Sequence, residues 1–553
     1  MASPVLTPAG SAPSSLGECL DLVLEARLDE ATARLADEHS REAQAGRRAR
    51  LAAIAAFAAA LAARHPAARR WAELSRAEAD DTESRASATA AEHFSACLAP
   101  PGEGVTPAAD LSFDPSWSDE DGSVSGYFAI EASMSSGRLV DAERFAEQYL
   151  ARDWQSSVQA PIFARIALAR ALVFQGRVAE AAASAVLATA EAERAGGMPA
   201  QMLAASTTAY IEAQLGNAAE VDRLTTVVLA LEPEPRSYIP VGSHILCAYG
   251  LGAVGATARA AELVLHAAGG PGLPRLQTVD RAYAYELLAA SAIERGDLRA
   301  ARAWGRRAAP LSIHDMAAAA VERTLSRIDV ATGKTESGAE RAAVSAARAL
   351  IAGGKLDAAR AHVLEATARA ATGERGAAVA GFRDAADEAD LLGAVAVRNW
   401  SARELRRLGR RLRPAAGAGW QALSEREQQI ALLAAEGYSN RMIGQALFLS
   451  ERTVQSHLSR ALAALGASSR AAIPASLGRG RDSGELDGLT ERQQQVALLV
   501  AEGCSNRVIA ERLGISDKTV EKHIQAIFAR WRVSSRTGIA NRVLAPLPES
   551  QPA

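Results

Sequence analysis

Residues 423–473, LSEREQQIALLAAEGYSNRMIGQALFLSERTVQSHLSRALAALGASSRAAI, align without a gap onto residues 489–539, LTERQQQVALLVAEGCSNRVIAERLGISDKTVEKHIQAIFARWRVSSRTGI. About half of the positions are identical, among them Glu425/Glu491, Arg426/Arg492, Gly437/Gly503, Ile443/Ile509, Leu447/Leu513, His457/His523 and the run Ser468-Ser469-Arg470/Ser534-Ser535-Arg536. Each copy reads as four short helices. Ser424 or Thr490 caps the first, with Glu427 or Gln493 three residues on to complete a capping box. Gly437 and Gly503 stop that helix. Ser439 and Ser505 start a second short helix, and Ser450 and Ser516 cap a longer third one. On the third helix Val454, Leu458, Ala461 and Leu465 form a core stripe that Val520, Ile524, Ile527 and Trp531 repeat, while polar residues hold the other face. A helix anchored on one side and polar on the other can enter the major groove and read base edges.

The pattern L-[ST]-E-R-x-Q…E-G-x-S-N-R-x-I…L-x-x-S-x-x-T-V-x-x-H…S-S-R resembles the LuxR/FixJ-type helix-turn-helix over the full length of both copies. The resemblance implies double-stranded DNA as the partner and the third helix as the recognition helix. Base-reading candidates are then Gln455, Ser456, Ser459 and Arg460 in copy one, and Lys518, Glu521, Lys522 and Gln525 in copy two. It further implies phosphate contacts from Ser439, Asn440 and Arg441, from Ser505, Asn506 and Arg507, and from Thr453 and Thr519. The fourth helix commonly forms the dimer contact in this family, which makes a homodimer one candidate assembly. This chain departs from the pattern where the family often has Lys after Thr-Val: Gln455 and Glu521 stand there. Copy one's reading face is nearly neutral, so copy two, with Lys518, Lys522, Arg530 and Arg532, is expected to be the stronger DNA binder. Pro474 shortens copy one's fourth helix. His457 and His523 read as boundary histidines, not as metal ligands or catalysts. Residues 478–488 link the copies and span at most about 35 Å extended, close to the ~34 Å between adjacent major-groove faces on one side of B-DNA. One chain could thus imitate a dimer.

Upstream, glycines at 137, 176, 216, 255, 296 and 376 separate pairs of helix-length apolar segments. The gaps are 39, 40, 39, 41 and then 80, the last covering two periods with a less regular unit around Gly333. The helices after the turns carry helical spacing, as in Leu139, Ala142, Phe145, Ala146 and Tyr149. Paired helices at such a period indicate an α-solenoid. The array resembles tetratricopeptide-like repeats, with units longer than usual, and the helical sensor arrays of large LuxR-type regulators. Its concave face is expected to receive a small-molecule effector or a protein such as RNA polymerase. Tyr210, Tyr249, Tyr283, Tyr285 and Trp304 either line that face or pack between helices, the commoner role of such side chains. Gly333-Lys334-Thr335 lacks the earlier glycine of a phosphate-binding loop, since Ile328 holds that place.

The expected fold is all-α: an α-solenoid of helix-turn-helix hairpin repeats followed by two tandem four-helix modules. The expected parts are a disordered tail at 1–16, a helical region at 17–98, a linker at 99–126, the repeat domain at 127–413, a linker at 414–422, the first module at 423–477, a linker at 478–488 and the second module at 489–545. From Arg403 onward the chain carries a formal charge of about +8, against −11 before it, within a total of −3. A basic end on an acidic body suits a DNA-binding segment attached to something else. No apolar run is long enough to span a bilayer and no secretory leader is apparent, so a cytoplasmic protein without membrane contact is expected. Cys19, Cys97, Cys247 and Cys504 are scattered, with no metal or redox spacing. No cofactor, metal or enzymatic activity is expected. The favoured function is transcriptional regulation, with a protein-docking scaffold as the rival. The Ala- and Arg-rich composition points to a GC-rich bacterial genome.

Overall fold

The structure, a computed structural model, describes residues 15–99, 111–412, 423–473 and 489–544, apart from 424, 466, 468, 502, 532 and 534. The chain divides into two units, Met1–Arg410 and Arg411–Ala553. The described residues are helical, with no strand among them.

In the first unit helices of two kinds alternate. Ala160–Phe174 buries residues on every side, whereas its partner Val178–Ala195 buries one stripe, Val178, Ala181, Ala185, Ala188 and Ala192, at spacings of three and four. A helix apolar all round needs neighbours on all sides, and an amphipathic one covers it from outside. The same contrast separates Met198–Gln214 from Ala218–Leu231 and Thr278–Glu294 from Leu298–Ala308. The chain passes from each inner helix to its outer partner through a residue in the left-handed region. At Gly176 (φ +79°) the amide donates to Val173 O, and Arg177 N donates to Leu172 O at 2.9 Å, closing the last turn in a Schellman arrangement. Left-handed glycines recur at 137, 176, 216, 255, 296, 333 and 373, at intervals of 39, 40, 39, 41, 37 and 40 residues. The expected turn at Gly376 is corrected by this series. Gly376 lies inside the helix Arg375–Leu392 and Gly373 (φ +88°) makes the turn, while the unit expected around Gly333 turns at that glycine (φ +82°).

The five helices between Leu16 and Leu98 belong to the same unit instead of standing apart behind a linker. Phe57 stacks between Phe94 (centroids 4.0 Å) and Phe128 (4.5 Å), so the helices Ala45–Leu61, Thr82–Leu98 and Asp119–Ser135 share one core. The Asp21 carboxylate accepts from Ser157 Oγ (2.5 Å), Val158 N (2.9 Å) and Gln159 N (3.1 Å). The turns here fall on Ala26 (φ +61°) and Ala63 (φ +56°), which are 37 residues apart and close with the same pair of backbone bonds. The 99–126 linker is also corrected. A helix starts at Asp119, where Ser118 Oγ accepts from Asp121 N and three acidic residues fill the first turn, favourably placed against the helix dipole. Gly122 and Gly126, which read as loop residues, are close-approach sites: a Cβ on either would lie 2.6 Å from Trp154 or Tyr149. Likewise Ser15 caps the helix Leu16–Leu24 with Glu18 in a capping box, inside the expected tail. The remainder of that tail and the linkers expected at 414–422 and 478–488 lie outside the described residues. No described helix is long and apolar enough to cross a membrane.

Three successive inner helices, Thr278–Glu294, Asp315–Ala331 and Lys355–Ala371, are tied by a buried charge cluster. Arg323, with 0% of its surface exposed, donates from Nε to Glu286 Oε2 at 3.0 Å and lies 3.4 Å from Asp357 Oδ2. Arg360 and the Tyr283 hydroxyl donate to the same Asp357 carboxylate. Burial pushes the Glu286 carboxyl up, but Arg323, Arg360 and Arg327 outweigh it and hold it at about 2. A carboxyl depressed in the folded state stabilises above its unfolded value, and that contribution fades as pH falls towards 2. Replacing Arg323 by Met removes the guanidinium that the two buried carboxylates share and is expected to cost ~3–5 kcal/mol. In urea denaturation the variant should also lose less stability than the parent as pH falls from about 5 towards 2, because its Glu286 carboxyl is no longer held as far below the unfolded value.

Candidate nucleic-acid interface

The second unit contains both copies of the duplicated segment, each around its own core. In copy one Leu423, Ile430, Ile443, Val454, Leu458, Ala461 and Leu465 are buried together; in copy two Leu489, Val496, Ile509, Val520, Ile524 and Ile527 repeat the arrangement, with Trp531 half-buried against it. The helices are Glu425–Ala435, Asn440–Leu447 and Glu451–Ala464 in the first copy, and Glu491–Ala501, Asn506–Leu513, Asp517–Trp531 and Arg536–Leu544 in the second. Copy one's fourth element opens as a 3-10 turn, Arg470–Ala472, ahead of Pro474, and its continuation lies outside the described residues. The capping box expected in copy two forms between Thr490 and Gln493 (3.0 and 3.4 Å); its counterpart at Ser424 lies outside the described residues.

Among the predicted reading residues, Gln455, Ser456, Ser459 and Arg460 are exposed on the third helix of copy one, as are Lys518, Glu521, Lys522 and Gln525 on that of copy two. Their opposite face holds the core stripe, so burial on one side fixes which residues look outward. Arg460 comes within 3.8 Å of Glu427, a buried carboxylate that copy two replaces with Gln493, while Arg452 is exposed on the same helix at the position where copy two has Lys518. His457 Nδ1 sits 3.6 Å from the same carboxylate, the boundary position expected of it.

The predicted phosphate-contact residues divide. Arg441 and Arg507 are exposed at the start of the second helix. Ser439 and Ser505 cap that helix through Met442 N (3.3 Å) and Val508 N (3.4 Å). Thr453 and Thr519 are half-buried, each hydroxyl 2.7 Å from the N-cap serine of the third helix. Asn440 and Asn506 are held from inside the protein: Arg470 Nη1 donates to Asn440 Oδ1 at 2.9 Å, and Arg536 Nη1 to Asn506 Oδ1 at 2.7 Å. The other arm of each arginine donates to a backbone carbonyl, Tyr438 O or Cys504 O. These arginines lock the fourth element onto the start of the second helix, and sequence reasoning assigned them no role. The visible signal was the Ser-Ser-Arg run kept in both copies. Arg426 and Arg492 act similarly at the far end, donating to Leu447 O and Leu513 O, the orphan carbonyls of the second helix.

These same features are matched by the family described as bacterial regulatory proteins, luxR family, over residues 421–474 and again over 487–543. The match covers both C-terminal modules. Over this region the chain is 43% identical across 68 residues to the transcriptional regulatory protein LiaR of Bacillus subtilis, covering 12% of this chain and 32% of that protein. It is 40% identical across 58 residues to the monoamine regulon transcriptional regulator of Klebsiella aerogenes, covering 10% and 26%. A putative HTH-type transcriptional regulator of Mycobacterium bovis, Mb0914c, is 47% identical across 62 residues, covering 11% and 7%. The chain thus spans at most about a third of the length of these relatives. Among solved structures, a Rap protein complexed with competence and sporulation factor superposes with a TM-score of 0.45 at 9% identity, covering 63% of this chain and 99% of that one.

The two LuxR-type modules pack on each other reciprocally. Ser469 Oγ of the first donates to Gly503 O of the second at 3.3 Å, and Ser535 Oγ of the second lies 3.5 Å from where a Cβ on Gly437 of the first would be. Adding the offset of 66 turns Gly437 into Gly503 and Ser469 into Ser535, so the two contacts are images of each other. Fourth elements touch one another and each touches the first helix of the opposite module. This is an isologous, two-fold arrangement between two different surfaces of one chain.

The modules also differ. Leu432 and its counterpart Leu498 are both exposed, but Tyr438, Met442 and Phe448 are exposed on copy one alone, Phe448 by 95%. Copy two has Cys504, Val508 and Gly514 in their places. Phe448 adopts a left-handed conformation (φ +56°) at the turn between second and third helices, where Gly514 (φ +63°) stands in copy two. An L-residue there costs ~1–2 kcal/mol. Phe448→Gly is therefore expected to raise the thermal stability of the C-terminal unit, and Arg536→Ala to lower it by ~1–3 kcal/mol as the part-buried Cys504 carbonyl and the Asn506 side chain lose their donor. Differential scanning calorimetry of the full chain, with the two transitions resolved, checks both signs.

Proposed function

We propose that this protein is a sequence-specific DNA-binding transcriptional regulator whose tandem LuxR-type modules act as a built-in pair, with the helical array as the sensing part. The observation that carries this is the reciprocal packing of two modules whose third helices each expose a polar face. A two-fold pair of such helices suits two inverted half-sites about one helical turn, ~10–10.5 base pairs, apart. The named relatives are transcriptional regulators matched over this same region, which supports the reading. Lys518 and Lys522 supply attraction on copy two, and exposed Arg441 and Arg507 add phosphate contacts in each half.

A second reading is favoured by the apolar surface of copy one. There Leu432, Tyr438, Met442 and Phe448 would dock a protein partner, leaving base reading to copy two. Exposed aromatic and methionine side chains are typical of such anchors.

The deciding experiment is fluorescence anisotropy of the full chain on DNA from upstream of its own gene, against scrambled DNA, across salt concentrations. Preference for the native DNA with a steep salt dependence is the expected result. Lys522→Ala should weaken binding and reduce the salt slope by about 1 if it contacts phosphate. Moving one half-site by five base pairs, or deleting several residues from 478–488, should weaken binding if both modules read DNA. Indifference to both changes would favour the second reading, and equal binding to native and scrambled DNA would overturn the first.

A further inference from the structure

The inner helices of the first unit leave a cavity of about 790 Å³, counting the part that opens to solvent. Its body is aromatic and aliphatic, lined by Phe57, Phe94, Phe163, Tyr249 and Tyr283 among others. Four lining residues break the apolar wall: Glu131, Arg170, Gln277 and Asp280.

These polar groups are built in and incompletely satisfied. Gln277, 5% exposed, donates through Nε2 to Asp280 Oδ2 (3.0 Å) and to the Tyr238 hydroxyl (3.3 Å), which fixes its amide; its buried Oε1 accepts nothing. Asp280 also accepts from the Tyr249 hydroxyl at 3.3 Å. Glu131 is 4% exposed. Arg170 influences both carboxylates, and its buried Nε has no acceptor. A buried amide oxygen without a donor is a costly feature that a ligand's N–H would relieve. The formal charge of the lining, two carboxylates against one guanidinium, is −1. The neighbouring cluster of Arg323, Arg327 and Arg360 with Glu286 and Asp357 does not line the cavity.

We propose that this cavity binds a small amphipathic organic cation, its apolar body among the phenylalanines and its ammonium group donating to Glu131, Gln277 Oε1 and Asp280. An ammonium supplies three donors to a site rich in acceptors, and the tyrosine faces favour positive charge. Burial pushes both the Glu131 and Asp280 carboxyls up, opposed by Arg170, as expected of acids awaiting a counter-charge. The ligand's effect on transcription rests on the sensing role proposed above, but its binding does not.

Isothermal titration of the full chain, without DNA, tests this with three probes of matched shape: phenethylammonium, 2-phenylethanol and phenylacetate, each to millimolar concentration. The cation should bind tightest and the anion weakest. Glu131→Gln and Asp280→Asn, each checked for an unchanged helical spectrum and melting point, should weaken the cation about tenfold or more while changing 2-phenylethanol little. Phenylacetate binding as well as the cation, no binding by any probe, or cation affinity unchanged in both variants would overturn the proposal. Because no DNA is present, failure here leaves the DNA-binding result standing, and the converse holds too.

Discussion

A helix with apolar residues on every side cannot face water, and the first unit is organised around that constraint. Each such helix is flanked by others of its kind and covered by an amphipathic partner, so the chain must reverse about every 20 residues within a repeat of about 40. The reversals from inner to outer helix pass through the left-handed region, which is why glycine sits at most of them. Polar groups that fall on an inner helix have no solvent to meet. They appear instead as closed clusters, as around Arg323, or as the wall of a cavity, as around Gln277.

Glycine spacing makes much of this array legible in the sequence. It misleads where a different residue meets the same backbone demand. Ala26 and Ala63 take left-handed turns with a side chain attached, so two further hairpins are invisible to a search for glycine. Conversely, Gly122 and Gly126 look like loop residues because their reason for being glycine is contact with Trp154 and Tyr149, which only the folded state reveals. Of the five aromatic residues assigned either to the concave face or to packing, Tyr249 and Tyr283 line the cavity, while Tyr285 and Trp304 stack on each other with Arg307 over the indole.

The C-terminal modules are the most readable part, because internal duplication supplies a control that a single copy lacks. Helical periodicity separates the core stripe from the exposed face residue by residue. The arginines at 426, 470, 492 and 536 are not interpretable that way. Their partners are backbone carbonyls and an asparagine some 20 to 30 positions away, set by tertiary geometry and not by spacing along a helix.

Carrying both halves of a two-fold contact on one chain has its own consequence. Two separate subunits would meet as the square of their concentration, and their identical sequences would tie them to matching halves of whatever they grip. Here the contact is formed at a fixed local concentration however few copies a cell contains. Each half has also been free to drift, which is how Gln455 can stand opposite Glu521 and a phenylalanine opposite a glycine in the same turn.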